Sequence, residues 1–329
     1  MNRRKFLAIL GGGTILAATA SVAAFVTTRT PTKALAPWQL AGSSYSDPRK
    51  RALSFALLAP NPHNRQPWLV DLSAADKISL FVDTDKMLPH TDPYNRQITI
   101  GLGCFLELLR MATAEDGYRA VIERFPEGYD DAALDAKPVA VVSLRKDKEV
   151  QKDPLFAHVL NRRSLKEPFD TSKPVSSEIL QALENVVLPD NRVGTSKDSK
   201  FVDSMRDLTA RAMDIEVKTP RTYQESVDLF RIGKAEVEKN PDGIDFSGPM
   251  FDTLGATGLF TRESALDTTT ATYQQGMDAV MTPLATAMGY VWLVSRTNTR
   301  LDQLNAGRDW IRINLAATGK NVGLHPISQ

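Results

Sequence analysis

The stretch Ala59-Pro60-Asn61-Pro62-His63-Asn64-Arg65-Gln66-Pro67-Trp68, called here the proline loop, decides how the rest of this sequence is interpreted. Its three prolines exclude a helix interior, because proline lacks an amide donor and restricts the residue before it. Between them lie four side chains with several hydrogen-bonding atoms each, namely His63, Asn64, Arg65 and Gln66. The stretch is therefore either an ordinary polar surface loop or a rigid holder that presents polar groups to a ligand at a low entropic cost.

The composition excludes several functional classes. A chain of 329 residues with 42% hydrophobic side chains can form one large or two moderate domains. A net charge of +1 gives no support for a nucleic-acid partner. Cys104 is the single cysteine, so no intrachain disulfide or cysteine-based metal cage is expected. The acidic residues Asp83, Asp85 and Asp92 do not match a calcium loop, because Leu88 replaces the required glycine, and no metal site is predicted.

The N-terminus has the layout of an export signal. Arg3 and Arg4 stand just before an uncharged stretch from Phe6 to Thr28, which resembles a twin-arginine signal. Residues 1–28 are therefore predicted to be a signal peptide read by the twin-arginine export machinery, with a first transmembrane helix as the alternative. The protein is expected to be periplasmic, or membrane-anchored and facing the periplasm. Residues 29–46, with their prolines and glycine, are interpreted as a linker.

Hydrophobic periodicity predicts an α+β fold. Residues 68–72 and 78–83 predict a hairpin or neighbouring strands, while residues 120–125, 139–144 and 290–295 predict further strands. Two helices are predicted to start at Asp47-Pro48 and at Ser176. Further helices are predicted over residues 97–114, 154–160, 199–218 and 268–288. A final helix is predicted from an apolar stripe of Leu301, Leu304, Ile311 and Leu315.

Three segments carry specific expectations. Cys104 is interpreted as a small buried hydrophobic residue of the helix over 97–114. In the helix over 199–218, near-heptad spacing of apolar residues predicts a packed helix. The apolar, glycine-rich stretch 243–258 is either a lid over a site or a loop packed on the core.

Cations cluster between two predicted helices. Arg162, Arg163, Ser164 and Lys166, called here the basic segment, place three positive charges and a hydroxyl within five residues. Such a segment is either a phosphate cradle or an exposed basic turn. Arg308 lies on the apolar stripe of the last helix and needs an acceptor, so it is either an ion-pair member or an anion ligand.

Together these motifs resemble the nitroreductase superfamily of FMN-dependent oxidoreductases. The proline loop is similar to that family's Ala-Pro-Ser-x-x-Asn-x-Gln-Pro-Trp signature, and Asn161-Arg162-Arg163-Ser164 to Phe169 resembles its Arg-Arg-Ser phosphate-binding segment. Gly323-Leu324-His325-Pro326-Ile327-Ser328, called here the C-terminal turn, resembles the stretch whose backbone approaches the flavin N5 edge. The order of the motifs, with the export signal, resembles the Acg-like branch, in which two nitroreductase units are fused.

The resemblance implies a fold and a domain order. The fold would be nitroreductase-like, with an antiparallel or mixed sheet covered by helices. Residues 47–150 and 151–329 would form two pseudo-repeated units, so that one monomeric chain is a pseudo-dimer. One FMN is expected between the two units.

The resemblance also implies the roles of the site residues. The basic segment would neutralise the FMN phosphate, the amides of the proline loop would bind the ring or the ribityl chain, and the C-terminal turn would address N5. No catalytic acid or base is implied. The predicted cofactor-binding residues are Asn64, Arg65, Gln66, Pro67, Arg162, Arg163, Ser164, Lys166, Arg308, Pro326, Ile327 and Ser328.

The implied activity is reduction of small nitroaromatic or quinone substrates through bound FMN, and the alternative is a protein that binds or stores FMN without turnover. Since nicotinamide nucleotides are not expected outside the membrane, an exported enzyme is expected to use a different, unknown electron donor. A serine or metal hydrolase has little support, because Gly-x-Ser-x-Gly and His-Glu-x-x-His do not occur in the sequence.

Overall fold

A computed structural model of the protein describes residues 28–43 and 45–328. The predicted signal peptide therefore lies outside the described residues, apart from Thr28. In the described part, no helix combines the length and the apolar character needed to cross a membrane. The helices are α1 (Thr32–Leu40), α2 (Pro48–Ala56), α3 (Arg96–Glu115), α4 (Ser177–Glu184), α5 (Ser199–Lys218), α6 (Pro220–Asp228), α7 (Gly233–Lys239), α8 (Pro249–Ala256), α9 (Arg262–Leu266), α10 (Ala271–Thr286) and α11 (Arg300–Gly319). The strands are β1 (Trp68–Asp71), β2 (Lys77–Val82), β3 (Tyr118–Arg124), β4 (Ala140–Lys146), β5 (Asn191–Ser196), β6 (Phe230–Ile232), β7 (Ile244–Phe246) and β8 (Tyr290–Ser295).

The largest sheet confirms the predicted strands of the first half. Its order is β1-β2-β4-β3 and every pairing is antiparallel, with Trp68 opposite Val82 and Lys77 opposite Ser143. Alternate residues of β2 are buried, as its sequence alternation predicts. Two smaller sheets pair β5 with β8 antiparallel and β6 with β7 parallel, so the fold is α+β with antiparallel and mixed pairing.

Helix α3 forms the centre of the core. Its residues Ile98, Leu102, Phe105 and Leu109 are fully buried in one cluster with residues of the four-stranded sheet. Cys104 is buried beside them and its thiol donates to the carbonyl of Gly307 at 3.1 Å, while burial raises its pKa to about 12. The prediction that Cys104 is a small buried hydrophobic residue is thus confirmed.

Helices α3 and α11 approach each other closely because both carry glycine at the contact. A Cβ on Gly103 would overlap the backbone carbonyl of Leu304, and a Cβ on Gly307 would overlap that of Ile100. The same interface holds a buried ion pair between Glu107 and Arg312 at 2.9 Å. Since α3 and α11 come from the two predicted units, both units contribute to one hydrophobic core.

Several elements differ from the sequence predictions. The segment interpreted as a linker contains helix α1, which tolerates Pro37 in its interior. The helix predicted over 154–160 is a short 3-10 turn at Pro154–His158. The sequence patterns did not predict α6, α7, α8, α9, β5, β6 or β7. These are short elements whose periodicity is too brief to stand out, and they depend on tertiary contacts for stability.

We predict that Gly307→Ala destabilises the protein by at least about 2 kcal/mol, because the new methyl group forces α11 away from α3. Urea unfolding followed by circular dichroism measures the change. Gly276→Ala in α10 is the matched control, since no atom lies within 4 Å of its added Cβ, and it should be neutral or stabilise by up to about 1 kcal/mol. Equal stability of the two variants would contradict the close-packed crossing.

Candidate active site

One cavity of about 1870 Å³ brings the three sequence motifs together. The proline loop, the basic segment and the C-terminal turn all contribute to its wall, although more than 250 residues separate the first motif from the last. The predicted site residues that line it are Asn64, Gln66, Arg162, Arg163, Ser164, Lys166, Pro326, Ile327 and Ser328.

The backbone of the proline loop is held in an uncommon conformation. His63, Asn64 and Gln66 have φ angles of 46°, 50° and 50°, in the left-handed region that only a small fraction of non-glycine residues adopt, Asn, Asp and His more often than Gln. The side chain of Asn61, which the sequence analysis did not single out, accepts a hydrogen bond from Gln66 N at 2.7 Å and braces the turn. Strain of this kind persists only where surrounding structure enforces it, and it is typical of ligand sites.

The surrounding structure comes from the turn between α7 and β7. Arg65 Nη1 pairs with Asp242 at 2.9 Å, and Gln66 Nε2 donates to the carbonyl of Pro241 at 2.6 Å. Asp242 also pairs with Arg231 at 2.8 Å. Arg65 is thus an anchor of the proline loop, and neither Arg65 nor Pro67 lines the cavity.

The stretch 243–258 is held by an aromatic cluster. Phe246 lies 4.6 Å from Phe230 and 5.0 Å from Phe260 between ring centroids, and Phe251 lies 5.1 Å from Phe246. Ile244 and Asp245 of this stretch line the cavity and α8 has no buried residue, so the stretch contributes to the cavity wall, and its role as a lid stays a prediction.

Arg162 is the most unusual charged residue of the site. Its side chain is buried, with 6% exposure, its Nη1 has no hydrogen-bond partner, and its Nη2 makes only a long 3.4 Å contact with the carbonyl of Leu58. Desolvation lowers the pKa of Arg162 to about 10, so the group still carries its charge near neutral pH. Because Arg162 is buried, it is not part of an exposed basic turn, which was the alternative interpretation of the basic segment.

The neighbouring cations also lack acidic partners. Within residues 45–328, no carboxylate makes an ion pair with Arg162, Arg163 or Lys166. Asp245 is the acidic group that acts most on Lys166, and it does so without ion-pair contact. Desolvation lowers the pKa of both Arg163 and Lys166. Uncompensated positive charge at one end of the cavity favours an anionic ligand.

The C-terminal turn is fastened to the basic segment. Leu165 N donates to the carbonyl of Leu324 at 2.9 Å, and the Ser328 hydroxyl donates to Gln97 Oε1 at 3.0 Å. His325 lines the cavity beside these residues, and desolvation lowers its pKa. The two motifs therefore form one continuous wall.

Arg308 lies away from this wall. Its guanidinium pairs with Asp190 at 2.8 Å and with the fully buried Asp309 at 3.0 Å. Arg308 is therefore an ion-pair member, which is one of the two roles that the sequence allowed. It does not line the cavity.

One apolar part of the cavity wall lies on α5, which was predicted to be a packed helix. On α5, only Val202 and Thr209 are buried, whereas Phe201, Met205 and Leu208 line the cavity. The prediction of a packed helix was wrong here, because spacing identifies an apolar face without specifying what it contacts. Across the β5–β8 pair, Gly194 leaves room for the ring of Trp292, whose centroid lies 5.2 Å from that of Phe201.

Sequence reasoning identified Arg162 but missed other polar residues of the site. In the described part of the chain, five residues that line the cavity each have a buried polar side-chain atom without a hydrogen-bond partner. Such atoms are rare and costly, and they accumulate where a ligand completes the hydrogen bonding. His63 and His325 lie inside recognised motifs and could have been found, whereas Trp38 lies in the supposed linker. The five residues are Trp38, His63, Arg162, Tyr290 and His325.

Comparisons with known proteins find partial sequence similarity to two mycobacterial proteins. No family model matches the chain. It is 29% identical over 170 residues to "Putative NAD(P)H nitroreductase acg" of Mycobacterium tuberculosis H37Rv, a match that covers 49% of the chain and 50% of that protein. It is 33% identical over 85 residues to "Putative NAD(P)H nitroreductase Rv3131" of the same organism, a match that covers 26% of the chain and 24% of that protein. The chain thus spans about half the length of these curated relatives or less, and they support a nitroreductase-like family and a general oxidoreductase function.

We predict that Asp242→Asn loosens the proline loop, because Arg65 and Arg231 both lose their carboxylate partner. Both pairs are largely but not fully buried, so the free energy of unfolding should fall by about 1–3 kcal/mol, with faster amide exchange in residues 59–68. Asp207→Asn breaks an exposed pair with Arg211 and serves as the control, with a change below about 0.5 kcal/mol. Unchanged exchange in the proline loop would contradict the anchoring role.

We predict that His63 makes the protein sensitive to mild acid. Burial lowers its pKa from 6.5 to about 4, so the unfolded chain takes up this proton at a higher pH than the folded chain. The stability associated with neutral His63 is complete above about pH 6.5 and is lost as the pH falls toward 4. Between pH 7 and pH 5 the wild-type protein should lose about 2 kcal/mol more than His63→Asn, which tolerates the left-handed φ. Urea unfolding at the two pH values measures the difference. An equal loss of stability in the wild-type protein and in His63→Asn would contradict the prediction.

Proposed function

We propose that this protein is an FMN-dependent oxidoreductase of the nitroreductase type, which reduces small nitroaromatic or quinone substrates. The observation that carries the proposal is the buried Arg162, which has no acidic partner and lies beside Arg163 and Lys166 at the wall of a large, mostly apolar cavity. The names of the relatives favour the same class of reaction.

The basic segment fits the phosphate of FMN. A phosphate group offers a doubly charged, multidentate acceptor, which compensates buried guanidinium groups better than water does. Arg162 without such a partner is a desolvated, unpaired charge, an arrangement that costs free energy. Ser164, which also lines the cavity, can add a hydroxyl donor.

The proline loop fits the polar edge of a flavin. Asn64 and Gln66 line the cavity with amide groups that both donate and accept, and the anchored backbone keeps them in position. His63 is neutral near pH 7, so its ring can donate from one nitrogen and accept at the other. Asn64, Gln66 and the C-terminal turn with Ser328 would therefore orient the ring system.

The aromatic wall suits a flat, apolar substrate. Typical small-molecule pockets measure about 300–1,000 Å³, and a cavity of about 1870 Å³ can hold a cofactor together with a substrate. Phe201 and Trp292 can stack on an aromatic ring and exclude water from it. When bound, FMN supplies hydride and single-electron transfer, and the protein supplies binding, orientation and the exclusion of water.

We further propose that one chain binds one FMN between residues 47–150 and residues 151–329, and that the protein acts after export. Export argues for an electron donor other than a nicotinamide nucleotide, whereas the relatives' names contain NAD(P)H. Rapid, saturable bleaching of the bound flavin by NADPH would show that a nicotinamide nucleotide is the electron donor.

The proposed function is tested by the visible spectrum of the purified protein and by its turnover. A yellow protein that oxidises a reductant in the presence of a quinone or nitroaromatic compound supports the enzyme. Tight FMN binding without turnover under any reductant indicates FMN storage. A colourless protein that ignores added FMN contradicts both.

We predict opposite effects of Arg162→Met on stability and binding. Removing a buried, unpaired charge should raise the free energy of unfolding of the FMN-free protein by about 1–3 kcal/mol. The affinity for FMN should fall about tenfold to a hundredfold, the value of a lost charge-assisted hydrogen bond. Arg192→Gln on the exposed side of β5 is the control for both measurements. A variant that is destabilised and still binds FMN normally would show that Arg162 is a structural residue.

A further inference from the structure

The helix in the supposed linker forms part of the cavity wall. Residues 31–42, called here the strap, consist of α1 and its flanking residues. Trp38 reaches the same cavity as the proline loop and the basic segment, together with five other residues of the strap. The strap residues on the wall are Pro31, Lys33, Ala34, Leu35, Pro37 and Trp38.

The strap is fixed at both ends. At its start the carboxylate of Glu238, on α7, accepts hydrogen bonds from Lys33 N at 3.0 and 3.2 Å and from the Thr32 hydroxyl at 3.2 Å. This carboxylate takes the place of a local cap, because the N-cap residue Pro31 provides none. Helix α1 is therefore docked on the same α7 segment that leads to the anchor of the proline loop.

At its end the strap turns at Gly42. This residue has a φ of +70°, and its amide donates to the Ser54 hydroxyl of α2 at 2.9 Å. A Cβ on Gly42 would lie 2.6 Å from the ring of Phe55, so only glycine allows this close approach. The position of Trp38 between two fixed ends is thus determined by the fold.

Trp38 contacts the basic segment directly. The guanidinium carbon of Arg163 lies 4.5 Å from the centre of the Trp38 ring, within the range of a cation–π interaction. Arg163 Nη1 is already engaged, since it donates to the carbonyls of Leu160 at 3.0 Å and Arg162 at 2.7 Å. With one face stacked and one nitrogen held, the guanidinium is oriented with its remaining donors free of any carboxylate in the described part of the chain.

We propose that Trp38 is a positioning residue for phosphate recognition, and that by holding Arg163 it lets the cavity select a phosphorylated flavin over an unphosphorylated one. This inference rests on the proposed function. Trp38 acts through Arg163 on the anionic end of the ligand, so its loss should affect FMN and leave riboflavin, which has no phosphate, almost unaffected. A residue that merely stabilised the fold would affect both flavins alike.

The test compares the affinities of purified Trp38→Leu and wild-type protein for FMN and for riboflavin, measured by fluorescence titration. The ratio of riboflavin Kd to FMN Kd should fall at least tenfold in the variant, with less than a twofold change in riboflavin binding. Trp38→Phe keeps an aromatic face for Arg163 and should retain the ratio within about threefold. Arg192→Gln, on the exposed side of β5, is the control and should leave the ratio unchanged.

The outcomes separate the two proposals. If Trp38→Leu weakens both flavins equally, or neither, the phosphate role of Trp38 is wrong and the proposed function stands. If Trp38→Phe lowers the ratio of riboflavin Kd to FMN Kd as much as Trp38→Leu does, stacking on Arg163 is not the cause of the selectivity. If the wild-type protein binds neither flavin, the proposed function fails, and the role of Trp38 fails with it.

Discussion

The close crossing of α3 and α11 is the constraint on which the rest of this structure depends. It requires glycine at positions 103 and 307, and it joins the core of the first half to that of the second. The proline loop packs on the first turns of α3, where Gly101 faces Asn61. At the C-terminal end of α11, Gly319 lies against His158, a residue that comes just before the basic segment in the sequence. The C-terminal turn follows α11 directly. Moving the two helices apart would therefore separate the three motifs that form the site.

The cavity concentrates features that a stable core avoids. The proline loop keeps three non-glycine residues in the left-handed region, and Arg162 is a buried charge without an acidic partner. Each of these costs free energy in the folded state. They are retained beside a core that is otherwise well packed, with a paired network of Glu107, Arg312 and Asp153. Such local violations of the rules of stable packing at the wall of one cavity are what a ligand site is expected to show.

Sequence patterns predicted the regular parts of the fold because those parts follow local rules. Alternation placed β2, helical periodicity placed α3, and Ser176 predicted the start of α4, where its hydroxyl accepts from Ile179 N. The patterns failed where a contact with a distant part of the chain determines the structure of a segment. Helix α1 depends on Glu238, which lies about 200 residues away, and the apolar face of α5 lines the cavity where packing was expected.

The site was predictable in the same unequal way. A motif can identify Asn64 and Gln66 as polar residues held by prolines, but it cannot show that Arg65 beside them turns away to meet Asp242. Likewise the stripe of α11 shows that Arg308 needs an acceptor, and only the structure shows that the acceptors are Asp190 and Asp309. Asp242 and Asp190 lie more than a hundred residues from the arginines they meet, so local spacing carries no information about them.

The most direct test of the central claim is a crystal structure of the protein with FMN. We expect the phosphate within hydrogen-bond distance of Arg162 and Arg163, and the ring system beside Asn64, Gln66 and the C-terminal turn. Flavin bound elsewhere, or a cavity that stays free of flavin at saturating FMN, would contradict the account.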